Sequence, residues 1–281
     1  MGTVQMKTKT KLTIARSLSR VVRTGRHIWG RGNIVTCRRS GLRWELDLAE
    51  GIDLSIYCFG TFEPEIVGFA SRVVRQNGTV IDIGANIGAH TLRFAELVGP
   101  HGKVFAFEPT DYAFSKLTRN IALNPDLVPR IHAFQALLAA SSDQAKPNGI
   151  CSSWPLESTG TVHAVHMGEA KSLQGACVTT LDDVARQLVW KAVDLVKLDV
   201  DGNELFVLQG ARTFLTENHP PILMEFAPYL YAEFGYSLRD LSGLLASMGY
   251  QCQLLPAQRR VDFDRLPEII GDGRSINVLL V

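Results

Sequence analysis

From residue 79 onward the hydrophobic positions switch between two rhythms. "TVIDI", "KVFAFE", "RIHAFQALL", "VDLVKLD" and "PILMEF" are short apolar runs rich in β-branched and aromatic residues. They show little of the in–out alternation of a sheet with one wet face. Between them apolar residues recur three and four positions apart, which predicts helices starting near Ile87, Asp111, Leu181 and Asn203. Strands and helices in turn, with the strands apolar on both faces, predict an α/β domain whose parallel sheet is covered on both sides. Upstream, "LRWELDL" (residues 42–48) alternates like a half-buried strand, and "FEPEIVGFASRVV" reads as a helix with Pro64 in its first turn. Near the end, "SLRDLSGLLASMG" predicts a helix, and "YQCQLL" and "INVLLV" are expected to pair as a terminal hairpin at one sheet edge. Residues 141–176 are rich in Gly, Ser and Pro and break the rhythm, so a lid or binding loop is expected there.

Charge divides the chain differently. The net charge is +1, yet residues 1–44 hold eleven Lys or Arg and no acid, leaving 18 bases against all 28 acids in the rest. A basic extension over 1–44 and one α/β domain over 45–281 are expected. The extension suits an anionic membrane surface, a polyanion, or the acidic remainder of its own chain, and it also has the Arg- and Ser-containing, acid-free character of a transit peptide. A solvated basic helix leading into the domain is the plainest reading. Nothing aromatic or repetitive points to nucleic-acid readout, so no nucleic-acid partner is expected. No apolar run reaches the ~20 residues of a membrane span, and the start has no apolar signal core. The five cysteines are dispersed without a C-x-x-C pair, so a reduced, cytoplasmic setting is the expectation.

The most informative stretch is "VIDIGANIGAHTLRFA" (residues 80–95). A strand ends on Asp82, Gly84, Asn86 and Gly88 follow at alternate positions, and a helical pattern begins. Ligands of open parallel sheets bind beyond the carboxyl ends of the strands. Glycines there would admit a ligand to the backbone, and the helix would offer free N–H groups. Leu92, Ala95 and Val98 are expected to face the sheet. The next strand ends on Glu108, placed to accept the two hydroxyls of a ribose. The expected ligand therefore contains a nucleoside. A pyrophosphate would favour G-x-G-x-x-G, whereas D-x-G-x-N-x-G places an acid that repels it and suits the cationic amino-acid part of S-adenosylmethionine (SAM).

As a set, "EGIDLSIYCFGTFEPE", "VIDIGANIGAHTLRFA", "VFAFEP", "TTLDD" and "VDLVKLDVDGNELFVLQGA" resemble the FkbM-type SAM-dependent methyltransferases over most of residues 45–228. The resemblance implies a seven-stranded Rossmann-like methyltransferase fold. It implies a cofactor loop of Asp82, Gly84, Ala85, Asn86 and Gly88, with Glu108 on the ribose. It also implies O-methylation of a hydroxyl, often on a sugar or natural product. A nucleotide-dependent oxidoreductase and a non-catalytic SAM-binding protein are the alternatives.

Methyl transfer to an alcohol needs alignment and a route for the proton. The best-placed acids end the next two strands: "LVKLDVDGNE" supplies Asp199, Asp201 and Glu204, and "ILMEFAP" supplies Glu225. Asp199 and Glu225 are the candidate catalytic residues. Two such carboxylates also suit Mg²⁺, so base and metal ligand are both open. Asp201 and Glu204 also fit a turn and helix start. Lys197, inside an apolar strand, needs a counter-ion, with Glu225 or Glu204 the candidates. His163 and His166 in the insertion are further base candidates, and His90 is a candidate for the pocket wall. Tyr57, Phe59, Phe62 and Glu63 fit either ring stacking on an acceptor or a cap over the first strand. Thr180-x-x-Asp183 reads as a helix cap.

Overall fold

The computed structural model describes residues 8–151, 155–156, 169–190 and 192–281, so His163 and His166 lie outside the described residues. Its centre is an eight-stranded sheet. Across the sheet the strands run Arg259–Val261, Cys252–Leu254, Ile276–Leu280, Ile222–Phe226, Leu195–Leu198, Thr79–Ile83, Lys103–Phe107 and Ile131–Phe134. The five strands from Ile222–Phe226 to Ile131–Phe134 are parallel. Ile276–Leu280 is antiparallel to both its neighbours. The seven strands of the expected fold are present, and the short Arg259–Val261 strand extends one edge.

Successive strand residues feed two cores. Ile81, Ile83, Val196, Leu198, Ile222 and Met224 pack on one face, against helices that include Leu181–Leu188 and Leu238–Ser247. Val80, Val104, Leu195 and Leu223 pack on the other, against helices Pro64–Val73, Thr91–Leu97 and Asp111–Ala122. That two-sided burial is why the strand sequences are apolar without alternation. Leu92, Ala95 and Val98 are buried, as their spacing predicts.

Several boundaries differ from expectation. The helix expected near Ile87 begins at Thr91, because Asn86 and Gly88 take left-handed φ values of 49° and 92° and cannot enter a right-handed helix. "RIHAFQALL" splits at Gln135: Ile131–Phe134 joins the main sheet, while Ala136–Leu138 pairs with Cys177–Thr179. The expected terminal pairing forms, with Cys252–Leu254 antiparallel to Ile276–Leu280, but "INVLLV" takes the inner place against Ile222–Phe226 and the short Arg259–Val261 strand lies outside the pair. The last residues of Ile276–Leu280 are buried, whereas Arg259 and Arg260 tolerate the exposed edge. In the insertion, Gly149–Cys151 and Ala170–Ser172 form a small antiparallel ladder.

The N-terminal part adds a helix, Thr8–Ile28, and a hairpin, Ile34–Arg39 with Leu42–Asp47. The hairpin turns on Ser40 and Gly41, both at positive φ, as a two-residue hairpin loop requires. Its second strand buries Leu42, Trp44 and Leu46 against the domain. The open edge of that strand is met by side chains of the Asp111–Ala122 helix and its end. Asn124 Oδ1 accepts from the Arg43 N–H at 2.9 Å, and Asn120 Oδ1 accepts from the Glu45 N–H at 2.8 Å. Asn120 Nδ2 also donates to the Ile87 carbonyl at 3.0 Å. One buried amide thus ties the hairpin to the glycine loop. Among the described residues no helix is long and apolar enough to cross a membrane.

Asn120→Ala leaves the Glu45 N–H and the Ile87 carbonyl without their partner. We expect a loss of roughly 2–4 kcal/mol in urea unfolding, the penalty for stranding two polar groups. An unchanged denaturation midpoint would show that water replaces the amide.

Candidate active site

A cleft opens at the carboxyl ends of Thr79–Ile83, Lys103–Phe107 and Leu195–Leu198, where the strand order reverses direction. It encloses about 1090 Å³ of space, part of it open to solvent. Gly84, Ala85, Asn86, Glu108, Asp199 and Glu225 all face it. Six residues chosen from four separate stretches are therefore brought to one cavity.

Asp82 and Gly88 do not reach the cleft. The Asp82 carboxylate is fully buried, accepts a hydrogen bond from the Thr91 hydroxyl at 2.6 Å, and lies 3.5 Å from Lys197 Nζ. An argument that Asp82 repels a pyrophosphate therefore fails, because its charge is turned into the protein. The two glycines also act differently from expectation. A Cβ on Gly84 would stand 1.7 Å from the Asp199 carbonyl oxygen, and one on Gly88 would stand 2.9 Å from Leu117 Cδ1. Together with φ values of 78° and 92°, this means that their bare backbones make room for neighbouring protein atoms.

Glu108 holds the loop in shape. Its Oε2 accepts from the Asn86 N–H at 3.0 Å. Its Oε1 accepts from the Thr110 N–H at 2.9 Å and the Thr110 hydroxyl at 2.6 Å. Burial pushes its carboxyl up, against those hydrogen bonds, which favour the charged form. A carboxylate has about four acceptor positions, so one remains for a ligand hydroxyl.

Lys197 has different partners from those expected. Its Nζ donates to the Gly84 carbonyl at 2.9 Å and lies 3.4 Å from Asp199. Burial disfavours its charge, but Asp199, Asp82 and Glu63 outweigh burial and hold the ammonium above the usual lysine range. Glu204 serves the turn instead. It is buried, accepts from the Gly202 N–H at 3.2 Å and from the Tyr236 hydroxyl at 3.1 Å, and burial pushes it up to about 7. This agrees with the helix-start reading.

Around Asp199 the site is strongly acidic. Burial, then the Asp199 charge, pushes Glu225 up to about 8, while a hydrogen bond with Ser275 works the other way. Asp201, at φ 50°, also lines the cleft, and burial followed by Asp199 and Glu225 raises it well above the usual carboxylate range. Among the described residues, no group of three or more His, Cys, Asp or Glu side chains is gathered so as to hold a metal ion.

The opposite wall was only partly legible. Phe62, Glu63 and His90 line it, with His90 Nε2 3.4 Å from Glu63 Oε2 and the His90 ring 5.7 Å from that of Phe62. Tyr57 and Phe59 do not join them: Tyr57 lies under the Arg39 guanidinium, and Phe59 is exposed. Ile52 and Ile150 complete the rim from the N-terminal part and the insertion. Neither has a sequence signal beyond its place in the "EGIDLSIYCFGTFEPE" stretch or the 141–176 insertion.

The model of the methyltransferase FkbM domain matches residues 82–252. The chain belongs to the FkbM methyltransferase family. That membership displaces the oxidoreductase alternative. The match starts at Asp82 and takes in the loop, Glu108, Asp199 and Glu225, but leaves out Ile52, Phe62 and Glu63 on the rim. The methyltransferase sdnD of Sordaria araneosa is 30% identical over 159 residues, which are 48% of this chain and 61% of that protein. The chain thus spans less than two thirds of sdnD. The hexuronic acid methyltransferase AglP of Haloferax volcanii is 26% identical, with 72% of this chain and 75% of AglP covered. The 2-O-methyltransferase NoeI of Sinorhizobium fredii is 24% identical, with 63% and 74% covered. A solved FkbM methyltransferase from Methylobacillus flagellatus has 18% identity and a TM-score of 0.48, covering 79% of this chain and 48% of that one.

Two predictions follow the geometry. Glu108→Ala removes both the loop clamp and the remaining acceptor position. SAM affinity measured by calorimetry is expected to fall roughly 10- to 150-fold, the equivalent of about 1.5–3 kcal/mol; unchanged affinity in a folded variant would take Glu108 out of the site. The second concerns pH. A carboxyl raised from 4.5 to about 8 holds a proton in the fold that the unfolded chain has lost. Its contribution is complete below pH 4.5 and is lost as pH rises toward 8. The melting temperature is expected to decline across that window, and less steeply in Glu225→Gln. Parallel profiles for the two proteins would contradict the assignment.

Proposed function

We propose that this chain is a SAM-dependent O-methyltransferase acting on a hydroxyl of a sugar or natural-product-like acceptor. The observation that carries the reading is the convergence of the glycine loop, Glu108 and the Asp199–Glu225 pair on one cleft within the family match. The residues fit the cofactor. Ile83, Phe107, Leu137 and Leu138 offer apolar walls for an adenine ring. Glu108 offers an acceptor to the ribose, and the acids near Asp199 suit a sulfonium and an ammonium. Bound there, SAM supplies an electrophilic methyl group.

The chain's own groups then have separate tasks. Lys197 sits on one Asp199 oxygen, and the other oxygen is the acceptor for the hydroxyl proton. Glu225, pushed up to about 8, keeps its proton near neutral pH and donates a hydrogen bond to the acceptor. Asp82 acts through Lys197, and Gly84 and Gly88 act through loop shape. Ile150 at the rim adds an apolar side chain that helps exclude water from the bound pair.

Charge narrows the acceptor class. Glu63, Asp199, Asp201 and Glu225 face the cleft, while Lys197, the one lysine there among the described residues, is already engaged. An added carboxylate would meet like charge or force further protonation. The acceptor is therefore a neutral or amino-bearing hydroxyl compound, in contrast to the hexuronic acid in the name of AglP.

Release of demethylated SAM across neutral glycosides, amino sugars and uronates provides the check. Turnover is expected with the first two classes and at least about tenfold lower kcat/KM with uronates. A preference for uronates would overturn the acceptor assignment, and release from none would favour a binding protein. Asp199→Asn is expected to change SAM affinity by less than tenfold and to lower turnover by roughly 10²–10⁴. Near-normal turnover would remove Asp199 as the base.

A further inference from the structure

The Thr8–Ile28 helix has two faces with different fates. Its inner face is already occupied. Ala15, Leu18 and Val22 pack around Leu48, Leu54 and Leu156, and the Ser19 hydroxyl donates to the Leu48 carbonyl at 2.8 Å. Arg23 Nε donates to Asn33 Oδ1 at 2.8 Å and Arg26 Nε to the Gly32 carbonyl at 3.1 Å, fixing the helix end to the following loop. Its orientation on the domain is thereby set.

The outer face carries large apolar residues in open water. Ile14, Val21 and Ile28 are 54%, 71% and 76% exposed, and Trp29 directly after them is 81% exposed. The three aliphatic residues stand seven apart, about two helical turns, and so form one line along the helix. Ser17, Thr24 and Gly25 fill the line between them with small groups. Arg20 is exposed at its border, Arg16 lies further round, and residues 1–44 contain no acid.

We propose that this face docks the protein on an anionic phospholipid surface, with the helix lying flat in the headgroup layer. The occupant follows from the pairing of apolar line and uniform positive charge. A bilayer interface buries Ile, Val and Trp side chains while its phosphates receive the arginines. A second copy of the chain would bring two acid-free basic helices together. A nucleic acid would satisfy the arginines and leave the apolar line in water. The helix is too polar to span, and its inner face is committed to the domain, so it lies on the surface.

The experiment sediments the full chain with phosphatidylcholine vesicles, with and without phosphatidylserine, at low and high salt, alongside a Val21→Glu/Ile28→Glu variant. Binding is expected with phosphatidylserine only, weakened by salt. The variant should lose about tenfold or more in vesicle affinity, from the lost apolar burial and the added like charge, with unchanged melting temperature and SAM affinity. Three results would overturn the proposal: no sedimentation with phosphatidylserine vesicles at low salt, equal binding by the folded variant, or light scattering that gives a dimer for the native chain and a monomer for the variant. Because SAM affinity is read separately, failure here leaves the methyltransferase reading untouched.

Discussion

Lys197 and Asp82 are directly opposed in the register between two central parallel strands. Two charges in the middle of a sheet covered on both faces are costly unless paired. Their pairing organises what lies above them. The same ammonium donates to the Gly84 carbonyl and lies against Asp199, so the glycine loop and the end of the adjacent strand are held by one group. Gly84 completes the junction, since only a bare backbone leaves room for the Asp199 carbonyl. The cleft is built where two strands are cross-linked by a buried cation.

From that junction the site acquires its electrostatic character. Carboxyls crowd one side, and burial with mutual repulsion raises Glu225 and Asp201 while Lys197 stays charged. Groups of one chemical type are thus pushed toward different protonation states, the usual basis for dividing acid and base roles. Glu108, on the other side of the loop, is held by three hydrogen bonds of its own. Its hold on the Asn86 N–H and the Asn120 contact to Ile87 fix the loop from two directions.

The N-terminal part contributes to both the core and the cleft. Its hairpin supplies Trp44 to the core, and the stretch that follows supplies Ile52, Phe62 and Glu63 to the rim, outside the span matched by the family. Such a rim can vary without disturbing the glycine loop beside it.

What the sequence determined by itself was local. Unalternating apolar strands require a doubly covered sheet, and the helices over Asp111–Ala122 and Leu181–Leu188 were legible from their spacing, the second also from its Thr180 cap. The "DIGANIG" turn and the acids at the strand ends marked the cleft, because a strand terminus can be recognised without knowing its neighbours. Tertiary structure decided everything that depends on what a side chain meets. Asp82 and Glu108 end adjacent strands and read alike in sequence, yet Asp82 faces Lys197 inside the sheet while Glu108 faces the cleft. Gly84 and Gly88 look like a ligand cradle until Asp199 and Leu117 are found in the space their side chains would take. The pairing of "YQCQLL" with "INVLLV" was legible, but not that Ile276–Leu280 takes the inner place against Ile222–Phe226. Each outcome is set by contacts between elements far apart in the chain, and those long-range pairings leave no trace in local periodicity.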